Sequence, residues 1–262
     1  MLSDRIGSII TDIPIIDSHI HIGTWSNSLY RNFDTSLDAY LKKYGVHSAI
    51  CMKADMFSDR SSNKSVQESV VNQNKKVRGT LGMAVWLRPV GDYSISLSEL
   101  ISNQCAKAIK VHASIDWIPL GILNPYYNRM IEVAYLREVP IIVHCGATSI
   151  TADHNLVAQA AKDNQGVTFI AAHLGGKDDS SKIKAIDTFK NIPNICVDIS
   201  STKYHNVITY AIKNLGTDRI LFGSDWPIMS PYSQLAVLLD AVDNERDLIK
   251  ICYDTPKSVF NL

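Results

Sequence analysis

Apolar residues in this chain gather in short β-branched runs, separated by longer stretches in which apolar positions recur every three or four residues. The runs fall at 13–21, 48–53, 80–87, 106–112, 140–145, 167–173, 195–200 and 220–224, and their length and Val/Ile content predict eight strands. Between them, 34–44, 61–75, 94–103, 126–137, 153–164, 178–190, 203–214 and 232–242 carry helical spacing. Strict alternation of this kind predicts a parallel sheet. Strand starts lie roughly 30 residues apart, room for one helix and two turns per unit. Eight units consume nearly all of the 262 residues, which is the size of a closed (β/α)8 TIM barrel. An open doubly wound sheet would carry a Gly-rich phosphate turn, and no G-x-G-x-x-G occurs. No repeat, linker or low-complexity tract divides the chain, so 1–262 is expected to be one domain. The tail from Asn244 predicts one or two short helices, with Pro256 placed to begin the second.

In such a barrel the chemistry sits at the carboxyl ends of the strands. The first strand ends in Asp17-Ser-His19-Ile-His21, and residues two apart on a strand share a face, so both imidazoles are expected in the mouth. The fifth ends in His144, the sixth in His173 and the eighth in Asp225. A lone histidine closing an apolar run is more often a satisfied core residue than a ligand. Four ligand-type strand ends in one barrel are a different matter. Three imidazoles and one carboxylate form the N/O set expected around Zn²⁺, with Mn²⁺ the alternative. Strand geometry leaves open whether His144 or His173 is the third imidazole.

Composition narrows the classes. Twenty-six Lys+Arg balance 26 Asp+Glu, which argues against a polyanion binder such as a nucleic-acid protein. The amino terminus is interrupted by Asp4, Arg5 and Asp12 and lacks the apolar core of a signal peptide. The longest uncharged runs fall well short of the ~20 residues of a membrane span. A cytoplasmic protein without membrane partners is the expectation. The five cysteines are scattered and form no C-x-x-C pair, so they read as reduced packing residues. Cys145, beside His144, would need to be a nucleophile on the opposite face of its strand.

These segments resemble the amidohydrolase superfamily, and within it the amidohydrolase-2 family that includes aminocarboxymuconate semialdehyde decarboxylase. The resemblance rests on DSHIHIG (17–23), IKVH (109–112), PIIVHCG (140–146), AAHLGG (171–176), CVDIS (196–200), LFGSDWP (221–227) and the terminal YDTPKSVFNL. It implies metal ligation by His19, His21, His144 and Asp225, with His173 beside the reacting groups as an acid/base. Binuclear members of the superfamily place a carboxylated lysine near the end of the fourth strand, where Lys110 and His112 share a face. The amidohydrolase-2 branch favours a single metal.

A divalent ion makes hydroxide available at neutral pH, so hydrolysis of an amide, lactone or ester is the expected reaction, with Asp225 and His173 handling protons. Decarboxylation of an unsaturated or aromatic acid is the alternative, and a non-catalytic metal-binding barrel the second. Lys53, Arg88 and Lys110 near strand ends suggest a small anionic substrate, with His112 and Trp226 further candidates to touch it. Trp25, Trp86, Trp117, Tyr126 and Tyr127 are candidate walls. The loop 114–125 is the expected specificity segment, with closure of the site by this loop or by a second subunit of a homodimer left open.

Overall fold

The computed structural model describes residues 13–25, 34–44, 46–54, 63–77, 80–87, 100, 102, 104–146 and 149–262. Eight parallel strands follow one another in sheet order, β1 (Ile16–Ile22), β2 (Ser48–Lys53), β3 (Leu81–Trp86), β4 (Ala106–Val111), β5 (Ile141–Val143), β6 (Phe169–Ala171), β7 (Ile195–Asp198) and β8 (Ile220–Leu221). Residues just past β8 complete the ring: Ser18 N–H donates to Phe222 O, Asp225 N–H to His19 O, and His21 N–H to Trp226 O at 2.7–2.9 Å. The fold is the predicted (β/α)8 TIM barrel.

The helices are α1 (Leu37–Tyr44), α2 (Asn63–Asn74), α3 (Asn128–Arg137), α4 (His154–Asp163), α5 (Asp179–Phe189), α6 (His205–Leu215), α7 (Pro231–Ala241), α8 (Glu245–Ile249) and α9 (Thr255–Phe260). Their starts are local chemistry. Asp153 and Asp178 cap α4 and α5 by accepting from Asn155 N–H and Ser181 N–H, satisfying donors the first turn leaves orphaned. Pro256 lies in the first turn of α9, as expected. Of the predicted helix at 94–103 only residues 100 and 102 are described, and Arg88 lies outside the described residues.

The apolar interior has two parts. A large cluster lies between the strands and the helices. A smaller one fills the barrel itself: Ile50, Met52, Ala84, Ala108, Ile142, Ile170, Cys196 and Leu221 point inward, and Phe260 of α9 closes the lower end. Polar inward-facing positions are thereby confined to the upper rim. Two side chains tie the outer layer together. Arg219 donates to the carbonyls of Leu215, Phe189, Ile192 and Lys190, and Asn194 to those of Ala161, Asn164 and Val167.

All five cysteines are free and four are buried. Burial pushes the Cys145 thiol up to about 12, and its Sγ faces Val143 O at 3.6 Å. It packs in the outer cluster, away from the mouth. Among the described residues no helix is long and apolar enough to cross a membrane.

Candidate active site

Strand β1 sets the first two imidazoles. Its pairing with β2 slips by one residue between Asp17 and Ile20, so the simple alternation from Asp17 to His19 is broken. Asp17 joins the outer layer, where Tyr40 Oη–H donates to Oδ2 at 2.7 Å and the N–H groups of Ser224 and His19 donate to Oδ1. His19 and His21 sit on the mouth side, as expected.

The hydrogen bonds define which ring nitrogens carry protons. His21 Nδ1 lies 2.9 Å from Lys53 O, a pure acceptor, so Nδ1 donates and Nε2 presents a lone pair. His19 Nδ1 donates to Asp198 Oδ2 at 2.9 Å, which likewise leaves Nε2 bare. Those two bare nitrogens face each other at 3.2 Å, with Asp225 Oδ1 at 3.6 and 3.4 Å from them. Burial, with the nearby Lys110 charge, lowers the His19 pKa to about 4, so the ring is neutral near pH 7. Burial alone would raise the Asp225 carboxyl, but the neighbouring imidazoles of His21, His173 and His19 outweigh that and hold it well below the usual carboxylate range. Two lone pairs and an ionised oxygen converge, with the Lys110 ammonium reaching His19 Nε2 from the side at 3.3 Å. Such a donor set fits a cation.

Asp198 is the carboxylate that sequence reasoning passed over. Besides His19 it accepts from His173 N–H at 3.0 Å, Ser200 N–H at 3.1 Å and the Ser200 hydroxyl. It is fully buried. Desolvation would raise its pKa, but its interaction with His19, and then with His173 and Ser200, drives it far down. With both oxygens occupied by donors it is placed to orient His19 and His173. The signal was present in CVDIS: an acid inside an apolar strand must find donors.

His173 and Leu174 follow β6 in the left-handed region, with φ of 59° and 54°, conformations that cost non-glycine residues about 1–2 kcal/mol each. The Ser200 hydroxyl donates to Asp198 and accepts from His173 Nδ1 at 2.8 Å. His173 Nε2 is therefore a lone pair, 3.3 Å from His144 Nδ1. Burial lowers the pKa of both imidazoles. The loops after β5 and β6 touch backbone to backbone. At Gly146, with φ +95°, a Cβ would stand 2.7 Å from the Gly176 carbonyl carbon.

The geometry groups His19, His21 and Asp225 within one coordination sphere, and His19, His173 and Asp198 in a second group. His144 stands outside both, reaching His173 and stacking on His112 at 3.7 Å between ring centroids. His112 stacks in turn on Trp86 at 5.6 Å, so the three rings form one aromatic column. Lys110 points into the centre, Nζ lying 3.3 Å from His19 Nε2, and burial lowers its pKa to about 8. Lys53 Nζ lies 5.0 Å above the Trp86 ring. Trp25 meets His21 edge-on at 5.8 Å. Trp226 packs its ring on Tyr40 at 5.0 Å and Tyr127 is fully buried, whereas Trp117 and Tyr126 face solvent. The loop 114–125 is more ordered than expected, with 3₁₀ turns at Gly121–Leu123 and beginning at Pro125.

Fold and site together define a TIM barrel with an imidazole–carboxylate centre at its carboxyl rim. Residues 16–262 match the amidohydrolase family Amidohydro_2, and the chain belongs to that family of enzymes. Solved structures share the fold. A probable 2-pyrone-4,6-dicarboxylic acid hydrolase from Acinetobacter baumannii with citric acid bound superposes with TM-score 0.70 at 11% identity, covering 95% of this chain and 100% of the other. 5-Carboxyvanillate decarboxylase from Sphingomonas paucimobilis gives 0.68 at 10% identity, covering 96% and 100%. An amidohydrolase from Burkholderia multivorans with bound zinc gives 0.70 at 10% identity, covering 95% and 99%. No curated protein matches the sequence.

Proposed function

We propose that this protein is a metal-dependent hydrolase that cleaves an amide, lactone or ester of a small anionic substrate. The observation that carries the proposal is the pair of bare Nε2 atoms of His19 and His21, 3.2 Å apart beside an ionised Asp225. His19, His21 and Asp225 would hold one divalent ion, Zn²⁺ in the first instance and Mn²⁺ in the second, with His144, which stands outside that group in the structure, the further ligand that the family resemblance implies. When bound, such an ion polarises a substrate oxygen and acidifies water.

The remaining work falls to the chain. Asp225 has Oδ2 fixed by the Ser201 hydroxyl at 2.8 Å, leaving Oδ1 to accept a proton from attacking water. His173 offers a neutral Nε2 that accepts a proton and returns it to the leaving group, and Ser200 and Asp198 stabilise its cationic form through Nδ1. Lys110 supplies positive charge for a substrate carboxylate or a developing oxyanion, at a buried position where it acts with little screening.

A second reading draws on the aromatic wall. Trp86, His112 and His144 form a parallel stack that lines this side of the site with aromatic surface, which suits a conjugated acid, and decarboxylation of such an acid would use His173, once Nε2 has taken up a proton, as the proton donor to carbon. Fold neighbours include both a hydrolase and decarboxylases.

Elemental analysis of protein purified without chelator tests the metal reading. Near-stoichiometric metal in the parent, lost in His19→Ala and Asp225→Ala, is expected. His173→Ala should retain metal while activity collapses, and His144→Ala should lose it. Metal lost as completely from His173→Ala as from His144→Ala would exchange the two roles. Paired panels of carboxylate-bearing lactones, esters and amides, and of conjugated acids with carbon dioxide release as readout, separate the two reactions.

A further inference from the structure

Helix α5 carries a charge for which the catalytic scheme has so far no use. Lys182 is 2% exposed, and burial lowers its pKa to about 8. Its Nζ donates to Ser201 O at 2.9 Å and to Thr202 Oγ1 at 3.1 Å, and among the described residues no carboxylate lies within ion-pair distance of it. A cation buried on neutral acceptors costs stability that an apolar side chain of the same length would not. A residue needed for packing alone would be methionine or leucine.

What the ammonium grips is the turn after β7. Ser201 there has φ +54°, a strained left-handed conformation for serine. The turn is held from the opposite side by Gln234 of α7, whose Nε2 donates to Thr202 O at 3.3 Å. Its two serines aim their hydroxyls in different directions, Ser200 between His173 Nδ1 and Asp198, and Ser201 onto Asp225 Oδ2. The same helix braces the neighbouring loop. A Cβ on Gly176 would stand 2.4 Å from Lys182 N, and one on Gly175 would stand 2.7 Å from Ala185 and Phe189.

We propose that Lys182 is a positioning residue of the active site: by pinning the left-handed Ser200–Thr202 turn it sets the hydroxyl that fixes the His173 tautomer and the hydroxyl that fixes the Asp225 carboxylate. The part of this concerning metal affinity rests on the function proposed above, and the part concerning the tautomer does not.

The test is Lys182→Met, which keeps the stem and removes the donor. In metal-free protein labelled with ¹⁵N-histidine, long-range ¹H–¹⁵N spectra at fixed neutral pH report the ring protons. The parent should show His173 protonated on Nδ1 alone, and the variant a mixture of both tautomers, with His21 unchanged. Zn²⁺ affinity, measured by chelator competition, should fall about tenfold, as when groups behind a ligand are removed. The melting temperature should not drop. Unchanged His173 spectra and unchanged Zn²⁺ affinity overturn the proposal, as does a several-degree loss of melting temperature with all site histidines disturbed alike. Should Lys182→Met not fold, Thr202→Val removes one acceptor at constant volume and carries the same two readouts, with smaller shifts expected and none overturning the proposal. A parent that binds no Zn²⁺ refutes the metal reading, and the tautomer result still decides the role of Lys182.

Discussion

Replacing Asp198 with asparagine changes one oxygen to an amino group and leaves the volume intact. The carboxylate accepts four hydrogen bonds: from His173 N–H, Ser200 N–H and the Ser200 hydroxyl on Oδ1, and from His19 Nδ1 on Oδ2. Asparagine can keep the first three by presenting its carbonyl to them. Its NH₂ then faces His19 Nδ1 at about the present 2.9 Å. Two donors cannot share that contact, so His19 must move its proton to Nε2, the atom now 3.2 Å from His21 Nε2. Ligation then requires the unfavourable tautomer and the loss of a hydrogen bond to a charged acceptor, worth about 1.5–3 kcal/mol. That corresponds to a roughly 10- to 150-fold weaker affinity for Zn²⁺. Chelator competition measures the constant, and ¹⁵N-histidine spectra of the metal-free variant show which nitrogen bears the proton. An affinity within threefold of the parent's, or His19 still protonated on Nδ1, refutes the reasoning.

Three further outcomes follow from the framework and the buried charge. Arg219→Met removes donors from four carbonyls and should cost about 2–3 kcal/mol in urea unfolding, with a loss below about 0.5 kcal/mol counting against that role. Phe260→Ala opens the lower end of the barrel and should cost about 3–5 kcal/mol, read from the same unfolding curves. Lys182 has a folded pKa of about 8 against the ordinary lysine value of 10.5, so between those values the unfolded chain binds more protons and folding stability rises with pH. Relative to Lys182→Met, the parent should gain up to about 3 kcal/mol between pH 7 and pH 10.5, and a flat difference over that window would show that the buried ammonium costs nothing.

The barrel was legible because β/α periodicity is set by burial, and burial is what apolar runs record. The mouth was legible where a histidine or aspartate closes an apolar run, as at His144, His173 and Asp225. Periodicity did not reveal the slip in β1 that sends Asp17 outward while His19 turns in, because nothing in the apolar pattern marks the extra residue. Strand ends were drawn too long at β6 and β8, since His173 and Asp225 already stand in left-handed turns beyond the last ladder pairs. Asp198 and Lys182 escaped notice for a common reason. Each acts through hydrogen bonds to groups far along the chain, and only the folded structure brings those partners together.

The aromatic ring at the base of the barrel has a bearing on biosynthesis. Phe260 belongs to the cluster lined by Ile50, Met52 and Leu221, so a ribosome must release this residue before that interior is dry. Nascent chains stalled with this residue still inside the exit tunnel should remain open to protease attack at their first strands, and burial there should come only once translation has passed it. Acquisition of the native state is then a concerted event that waits for Phe260, and chaperones have all of the synthesis that precedes it in which to engage the unfinished barrel.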